Sequence, residues 1–330
     1  MRTNRSSEFR LNRRQVAMAL GTTSLGLGWS GSAQASSPVR FILPVSAGSG
    51  VDAIARAASN RLGLALGSPF VIENQPGAGG VVGTQALVKA APDGQTLSLV
   101  SNNHVIFPAL IKSLSFDPIA DITPISIVVT SPLVIVTRPG FPASNLKEFR
   151  DQLKANPGKY NFGSAGNGTI LHLAAELFKD VAGVYSTHIP YRGTGPLIND
   201  LMGGQVDWAV VALPAILGHL GSGRLQALAV GTRQRVAGFP QLPTAVEQGF
   251  DDYVVEGWVA AIGPKGMAPD LVARIHAAIV SAFSTGEVKE AMARQGNTIV
   301  LSSSEAAASY FKSELARYAA LVKKAGIVAQ

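Results

Sequence analysis

"RFILPVSAGSGVDAIARAASNRL", residues 40–62, sets an apolar strand against a loop of Ser, Gly and Ala that runs straight into a helix. A chain that passes so tightly from strand to helix builds a βα unit, the repeating element of layered α/β folds. The loop is also a candidate binding element. Its spacing Gly48-x-Gly50-x-x-Ala53 satisfies the dinucleotide fingerprint, and Glu73 closes the next apolar run at about the distance expected of a ribose-binding acid. A nicotinamide cofactor is the first reading this stretch raises.

Counting periods outward gives the same alternation almost throughout. Strand "FVIEN" (70–74) is followed by the turn "QPGAGGVVG", a helix through "TQALVKA" and strand "TLSLVS" (96–101). "ISIVVTSPLVIVTRP" (125–139) reads as two strands broken at Ser131-Pro132, and Ser144 reads as the N-cap of "NLKEFRDQLKA". Three more units pair "YNFGS" with "ILHLAAELFKDVAG", "YSTHIPY" with "PLINDLMGG", and "VDWAVVA" with "PAILGHLGSG". After strand "GWVAAIGP" (257–264) comes a helix from Pro269 to Arg294, then one from about Ser304 to Lys324. The apolar stripe of the latter, Ala307, Tyr310, Phe311, Leu315, Tyr318 and Val322, is of core type. Strict alternation implies a parallel sheet with right-handed crossovers. Breaks near 138–144 and 250–260 divide the chain into domain 1 (36–140 and 258–330) and an inserted domain 2 (141–257). Two crossing segments make a hinge, and clefts between such domains are where small ligands sit.

The first 35 residues are of another kind. Basic "MRTNRSSEFRLNRR" precedes apolar and small "QVAMALGTTSLGLGWSGS" and then "AQA", a small-x-small cleavage signal ending at Ala35. This is an export signal, with Arg13-Arg14 raising the twin-arginine route beside the ordinary secretory one. Its removal takes away five Arg and one Glu, lowering the formal charge from +7 to +3. The basic residues that remain are scattered and lack interleaved aromatics, which argues against nucleic acid. With no Cys, disulfides and thiolate nucleophiles are excluded. No later stretch is apolar for long enough to span a membrane, so the mature chain is expected to be soluble.

The opening loop is one of three of its kind. "NFGSAGNGTILHLAAELF" (161–178) places Ser164, Gly166 and Gly168 before a helix, and "IPYRGTGPLINDLM" (189–202) places Gly193, Thr194 and Gly195 before Pro196. Each sets backbone N–H groups and a helix N-terminus, carrying roughly half a positive charge, at the end of a strand, where an anion is favoured. Hydrogen bonds to a charged acceptor contribute about 1.5–3 kcal/mol each, so four or five, drawn from both domains, offset an association cost of order 4–15 kcal/mol. Closure should therefore accompany binding. No Gly-Lys-Ser/Thr triplet follows any of these glycines, which removes the phosphate-loop reading. A carboxylate needs only N–H groups, hydroxyls and ordered water.

Six ordered motifs, "FILPVSAGSGVDAIAR", "VIENQPGAGGVVG", "FPALIKSLSFDPIADITPI", "YNFGSAGNGTILHLAAELF", "HIPYRGTGPLINDLMGGQVD" and "LQALAVGT" with "FPQLPTAVEQGF", resemble the periplasmic solute receptors of tripartite tricarboxylate transporters, the Bug or TctC-like family. The resemblance runs from about residue 40 to about 325. It implies an α/β fold of the type II periplasmic binding kind, two α/β domains with a cleft and a two-segment hinge, holding a carboxylated ligand without a cofactor. Carried over by motif, the first loop contributes Val45, Ser46, Ala47, Gly48, Ser49 and Gly50 with Asp52. The second contributes Ser164, Ala165, Gly166, Asn167 and Thr169 with His172, and the third Tyr191, Arg192, Gly193 and Thr194. Asn103 is a further candidate. Where the family commonly shows Pro-Phe/Tyr-x-Ala-Gly-Gly this chain has Pro44-Val45-Ser46-Ala47-Gly48-Ser49, a change that bears on ligand identity. The implied partners are the ligand and membrane transporter subunits or a sensor, with a monomeric receptor and no nucleic acid.

Several residues keep two readings. Asp52 either caps its helix or meets an amino group of the ligand, His172 faces ligand or packs, Arg192 complements a second carboxylate or stands exposed beside its turn, and Trp258 roofs the cleft or packs in the hinge. Neither Gly-x-Ser-x-Gly nor His-Glu-x-x-His occurs, so the binding protein is preferred to the alternative, an exported nucleotide-dependent enzyme using the Gly48/Gly50/Ala53 loop.

Overall fold

A computed structural model describes residues 38–324 and 327; the expected export signal lies outside the described residues. The opening unit forms as its pattern implies. β1 (Val39–Leu43), buried at four of five positions, leads into α1 (Gly50–Leu66). Ser49 caps α1 by accepting from the Asp52 amide, and Gly67 ends it in the left-handed region that favours glycine. β2 (Phe70–Asn74), α2 (Val81–Val88), β3 (Thr96–Ser101) and α3 (Asn103–Leu110) complete this part, with β1 paired parallel to both β2 and β3.

The long β4 (Ile122–Thr137) then carries the chain into a second set of units: α4 (Leu146–Ala155), β5 (Asn161–Ser164), α5 (Ile170–Ala182), β6 (Thr187–Pro190), α6 (Thr194–Met202), β7 (Trp208–Ala212), the single turn α7 (Leu217–Leu220) and β8 (Gln226–Val230). β9 (Glu256–Pro264) runs back along β4, followed by α8 (Pro269–Phe283), α9 (Gly286–Arg294), the short β10 (Thr298–Ile299) and α10 (Ser304–Lys324). Among the described residues no helix is long and apolar enough to cross a membrane.

The strand order is β2-β1-β3-β9-β4-β7-β5-β6, with β8 and β10 paired to β4. The sheet is therefore mixed, which corrects the all-parallel expectation. Parallel pairing holds within β2-β1-β3 and β7-β5-β6, while β9 and β4 are antiparallel to each other and to their neighbours. The reason is the hinge: a strand that crosses out and another that crosses back must run in opposite directions.

β4 also corrects the break expected at Ser131-Pro132. The strand is continuous, and the ladder changes partner there instead: Ser131 and Pro132 pair with Gly257 and Glu256 of β9, while Leu133 onward pairs with β7. Proline brings no N–H to the ladder, and Pro132 sits at the handover. Two helix boundaries also differ. Asn145, not Ser144, caps α4 by accepting from the Glu148 amide, while Ser144 bonds the Glu148 carboxylate. The helix expected from 269 to 294 is two, because Thr285 starts α9 by accepting from the Val288 amide.

Both faces of the β1–β3 sheet are covered. Phe41, Leu43, Ile54, Leu62, Ile279 and Phe283 pack where α1 and α8 lie, and a second core joins Val100, Ile106, Phe311 and Tyr318 to Phe149, Phe178 and Trp208 beyond β4. The α10 stripe is core as expected at Ala307, Phe311, Tyr318 and Val322, with Tyr310 and Leu315 half-buried.

Candidate ligand-binding site

The loops that follow β1, β2, β3, β5 and β6 converge at the carboxyl ends of their strands, the place where open α/β sheets bind ligands. They enclose two adjoining cavities. The outer holds about 900 Å³, within the usual range for a ligand pocket. The inner chamber holds about 90 Å³ and reaches down to Ser131 and Leu133 of β4 and Gly257, Trp258 and Val259 of β9. Asn103, Ala165, Thr169 and Arg192 line both.

The first loop is braced from behind by Asp52. Its carboxylate accepts from the Gly48 amide at 3.0 Å, Arg56 Nε at 2.9 Å and Asn74 Nδ2 at 3.0 Å. Burial would raise this carboxyl, but those bonds outweigh it and hold the group below the usual carboxylate range. Asp52 is buried and lines neither cavity. Its carboxylate belongs to the loop's own architecture.

The second loop has a different support. Thr169 caps α5 from within by accepting from the His172 amide. His172 Nδ1 accepts from the Gly168 amide at 3.0 Å, which leaves the ring proton on Nε2, 3.7 Å from Glu176 Oε1. Glu176 is also paired with Lys179 at 2.7 Å. Burial would raise the Glu176 carboxyl, and bonds from His172 and Lys179 hold it low instead. The His188 ring stacks on His172 with centroids 3.9 Å apart and lies 2.6 Å from Ser164 Oγ through Nε2. Burial, reinforced by His172, pushes His188 down to about 4, so it is neutral at neutral pH.

The two sides of the cleft touch. Asn103 donates to Gly79 O at 3.0 Å and accepts from the Ile170 amide at 2.8 Å, capping α5 from across the cleft. The Gly195 amide reaches Ser46 Oγ at 3.3 Å. Glycines make this approach possible: a Cβ at Gly50 would lie 2.7 Å from Ala212 Cβ, and one at Gly195 would lie 2.8 Å from Ala47 O. Part of the backbone N–H supply read from the sequence is thus already used. The amides of cavity-lining Ser46, Asn167, Arg192 and Gly193 are different, donating to no protein acceptor among the described residues.

Of the residues expected at the site, Val45, Ser46, Ser49, Gly50, Asn103, Ala165, Thr169, Arg192, Gly193 and Thr194 line the chamber, and Gly166, Asn167, His172 and Tyr191 line the outer cavity. Ala47, Gly48, Asp52 and Ser164 line neither. Trp258 packs in strand β9 at 2% exposure and lines the chamber from its floor, not as a roof. The loop after β2, which the sequence marks only as a turn, lines both cavities through Pro76, Gly77 and Gly79. Gly77, Ala78, Gly79 and Gly80 all have positive φ, and the run "PGAGG" carried that signal. The nicotinamide reading is not favoured. The space beside Gly50 is taken by Ala212, and the Glu73 carboxylate is held through both oxygens by Arg40 at 2.8 Å.

Comparison with known proteins agrees with this geometry. Residues 54–327 match the model of the tripartite tricarboxylate transporter family receptor. The chain is 34% identical over 313 residues to Protein BugT of Bordetella pertussis, covering 94% of this chain and 96% of BugT. The solved periplasmic binding protein BugD is similar at a TM-score of 0.85 and 32% identity, over 89% of this chain and 99% of BugD. MatC from Rhodopseudomonas palustris, solved with bound malate, is similar at a TM-score of 0.81 and 28% identity, over 86% of this chain and 98% of that one.

Proposed function

The chain belongs to the tripartite tricarboxylate transporter receptor family, and from that premise we propose an exported receptor that captures a small organic carboxylate in the periplasm and presents it to membrane transporter subunits or a sensor. The observation that carries this reading is that residues with unspent amides line one cleft from opposite sides, Ser46 on one side and Asn167, Arg192 and Gly193 on the other. Arg192 lines both cavities and supplies positive charge without an ion-pair partner among the described residues. Bound malate in MatC supports the ligand class.

The domains assigned are 36–140 with 258–330, and 141–257, turning about β4 and β9. Residues 1–35 act as the export signal, by the twin-arginine or the secretory route. Ligand draws the two domains together because neither supplies enough donors by itself.

A melting screen of carboxylates against NAD and NADP tests the reading. Ligand at one hundred times Kd stabilises by about 2.7 kcal/mol, a rise of several degrees for a chain of this size. A rise with NAD and none with any acid overturns it.

A further inference from the structure

Resting on the carboxylate reading, we propose that the inner chamber is a subsite for a neutral oxygen of the ligand, a hydroxyl or keto group, recognised by Ser131 on the hinge strand β4. The receptor then selects hydroxy or keto acids over their unsubstituted counterparts.

Five buried side-chain polar atoms lack a partner among the described residues: His104 Nδ1, Ser131 Oγ, Thr137 Oγ1, Tyr253 OH and Asn297 Oδ1. A buried hydroxyl without a partner is costly and calls for an explanation. Of these residues, His104 and Ser131 line cavities among the described residues. That beside His104 is about 10 Å³, the size of one water. Ser131, at 4% exposure, lines the chamber of the cleft itself.

Ser131 offers the chamber floor an unspent hydroxyl; the half-buried Ser101, whose hydroxyl also has no partner among the described residues, lines the same chamber. Asn102, which also lines the chamber, has both amide protons spent: its Nδ2 donates to Tyr318 OH at 2.6 Å and Glu256 O at 3.3 Å, while its Oδ1 accepts from the Trp258 amide at 2.9 Å. Gly257 stands opposite Ser131 in the ladder and keeps the floor open, since a Cβ there would lie 3.1 Å from Ser131 O and 3.5 Å from Leu133 Cδ2. With Leu133, Gly257 and Trp258 beside it, the floor offers no counter-charge, so an ionised group is disfavoured there. Among the described residues no Asp or Glu lines either cavity, so a ligand ammonium finds no carboxylate there. A hydroxyl or carbonyl suits a serine, which both donates and accepts.

The test is calorimetric titration of the mature chain and its Ser131→Ala variant with succinate and malate, propionate and lactate, and glutarate and 2-oxoglutarate, together with melting of each ligand-free protein. Wild type is expected to bind the oxygenated member of a bound pair about tenfold more tightly. Ser131→Ala should lose that preference by weakening the oxygenated acid only, and its ligand-free melting temperature should hold or rise, since no protein bond is removed. The proposal is overturned if the preference survives in Ser131→Ala, if both members of a pair weaken equally, or if ligand-free Ser131→Ala melts several degrees lower. Binding of acids without any preference overturns the subsite and leaves the carboxylate reading standing. Failure of every acid overturns both.

Discussion

The loops after β1 and β5 share a grammar of small residues, a hydroxyl cap and a helix start, yet different parts of the molecule hold them. Asp52, Arg56 and Asn74, all from the first βα units, brace the first loop, and Ser49 caps its helix from within. The second loop has its own Thr169 cap, but the Ile170 amide is satisfied by Asn103 from the opposite side of the cleft. A loop braced by its own side keeps its shape whatever the cleft does. One whose helix start is completed from across the cleft gains that last bond only when the two sides meet.

Three substitutions sharpen or break that contrast. Gly50→Val has the largest expected effect. Gly50 has no positive φ, so the backbone accepts the change, but the new side chain meets Ala212 and holds the cleft apart. Affinity should fall about a hundredfold, about 2.7 kcal/mol, with ligand no longer reducing the radius of gyration in solution scattering. Unchanged affinity would show that contact between the sides is not needed.

Asp52→Asn comes next and acts on the ligand-free protein, weakening charge-assisted bonds and costing about 2 kcal/mol, read as a lower melting temperature at pH 7. Because the folded carboxyl is held below its unfolded value of about 3.9, its stabilisation is present above that pH and is lost as pH falls through the lower folded value. The gap between wild type and Asp52→Asn should therefore narrow in acid below about pH 4. A gap independent of pH would remove the carboxylate from the brace.

Asn103→Ala has the smallest effect. Losing one cap costs about 1 kcal/mol, here from the closed form, so affinity should drop roughly fivefold while ligand-free melting stays near wild type. Equal losses in both measurements would make the two loops alike.

Much of the site was legible because its loops are built from residues with local signatures. Gly48, Gly166, Gly168 and Gly193 adopt positive φ, a demand that a sequence reveals directly. The parallel strands were legible for a related reason, being apolar runs bounded by Gly, Pro and polar turns. The floor was not, since Ser131 meets Gly257 only by pairing across more than a hundred residues, and no local pattern encodes that. Pro132 misled for a physical reason: a proline within an apolar run ordinarily ends a central strand, and here the ladder changes partner at that point. Asp52 shows the remaining difficulty. Its helix-start position was readable, but its three partners come from a loop, helix α1 and strand β2.

β4 is a sixteen-residue strand that pairs with β9 along one half and with β7 and β8 along the other, with register shifts against β9 between Pro124 and Ser126 and between Ile127 and Val129. In the two-domain reading proposed above, such a member acts as a torsion bar rather than a slack tether. Opening has to wind it and shear the bonds beside those irregularities, so the empty receptor should occupy a few discrete twists instead of a continuum. On that reading, a softer bar should let solute go more readily.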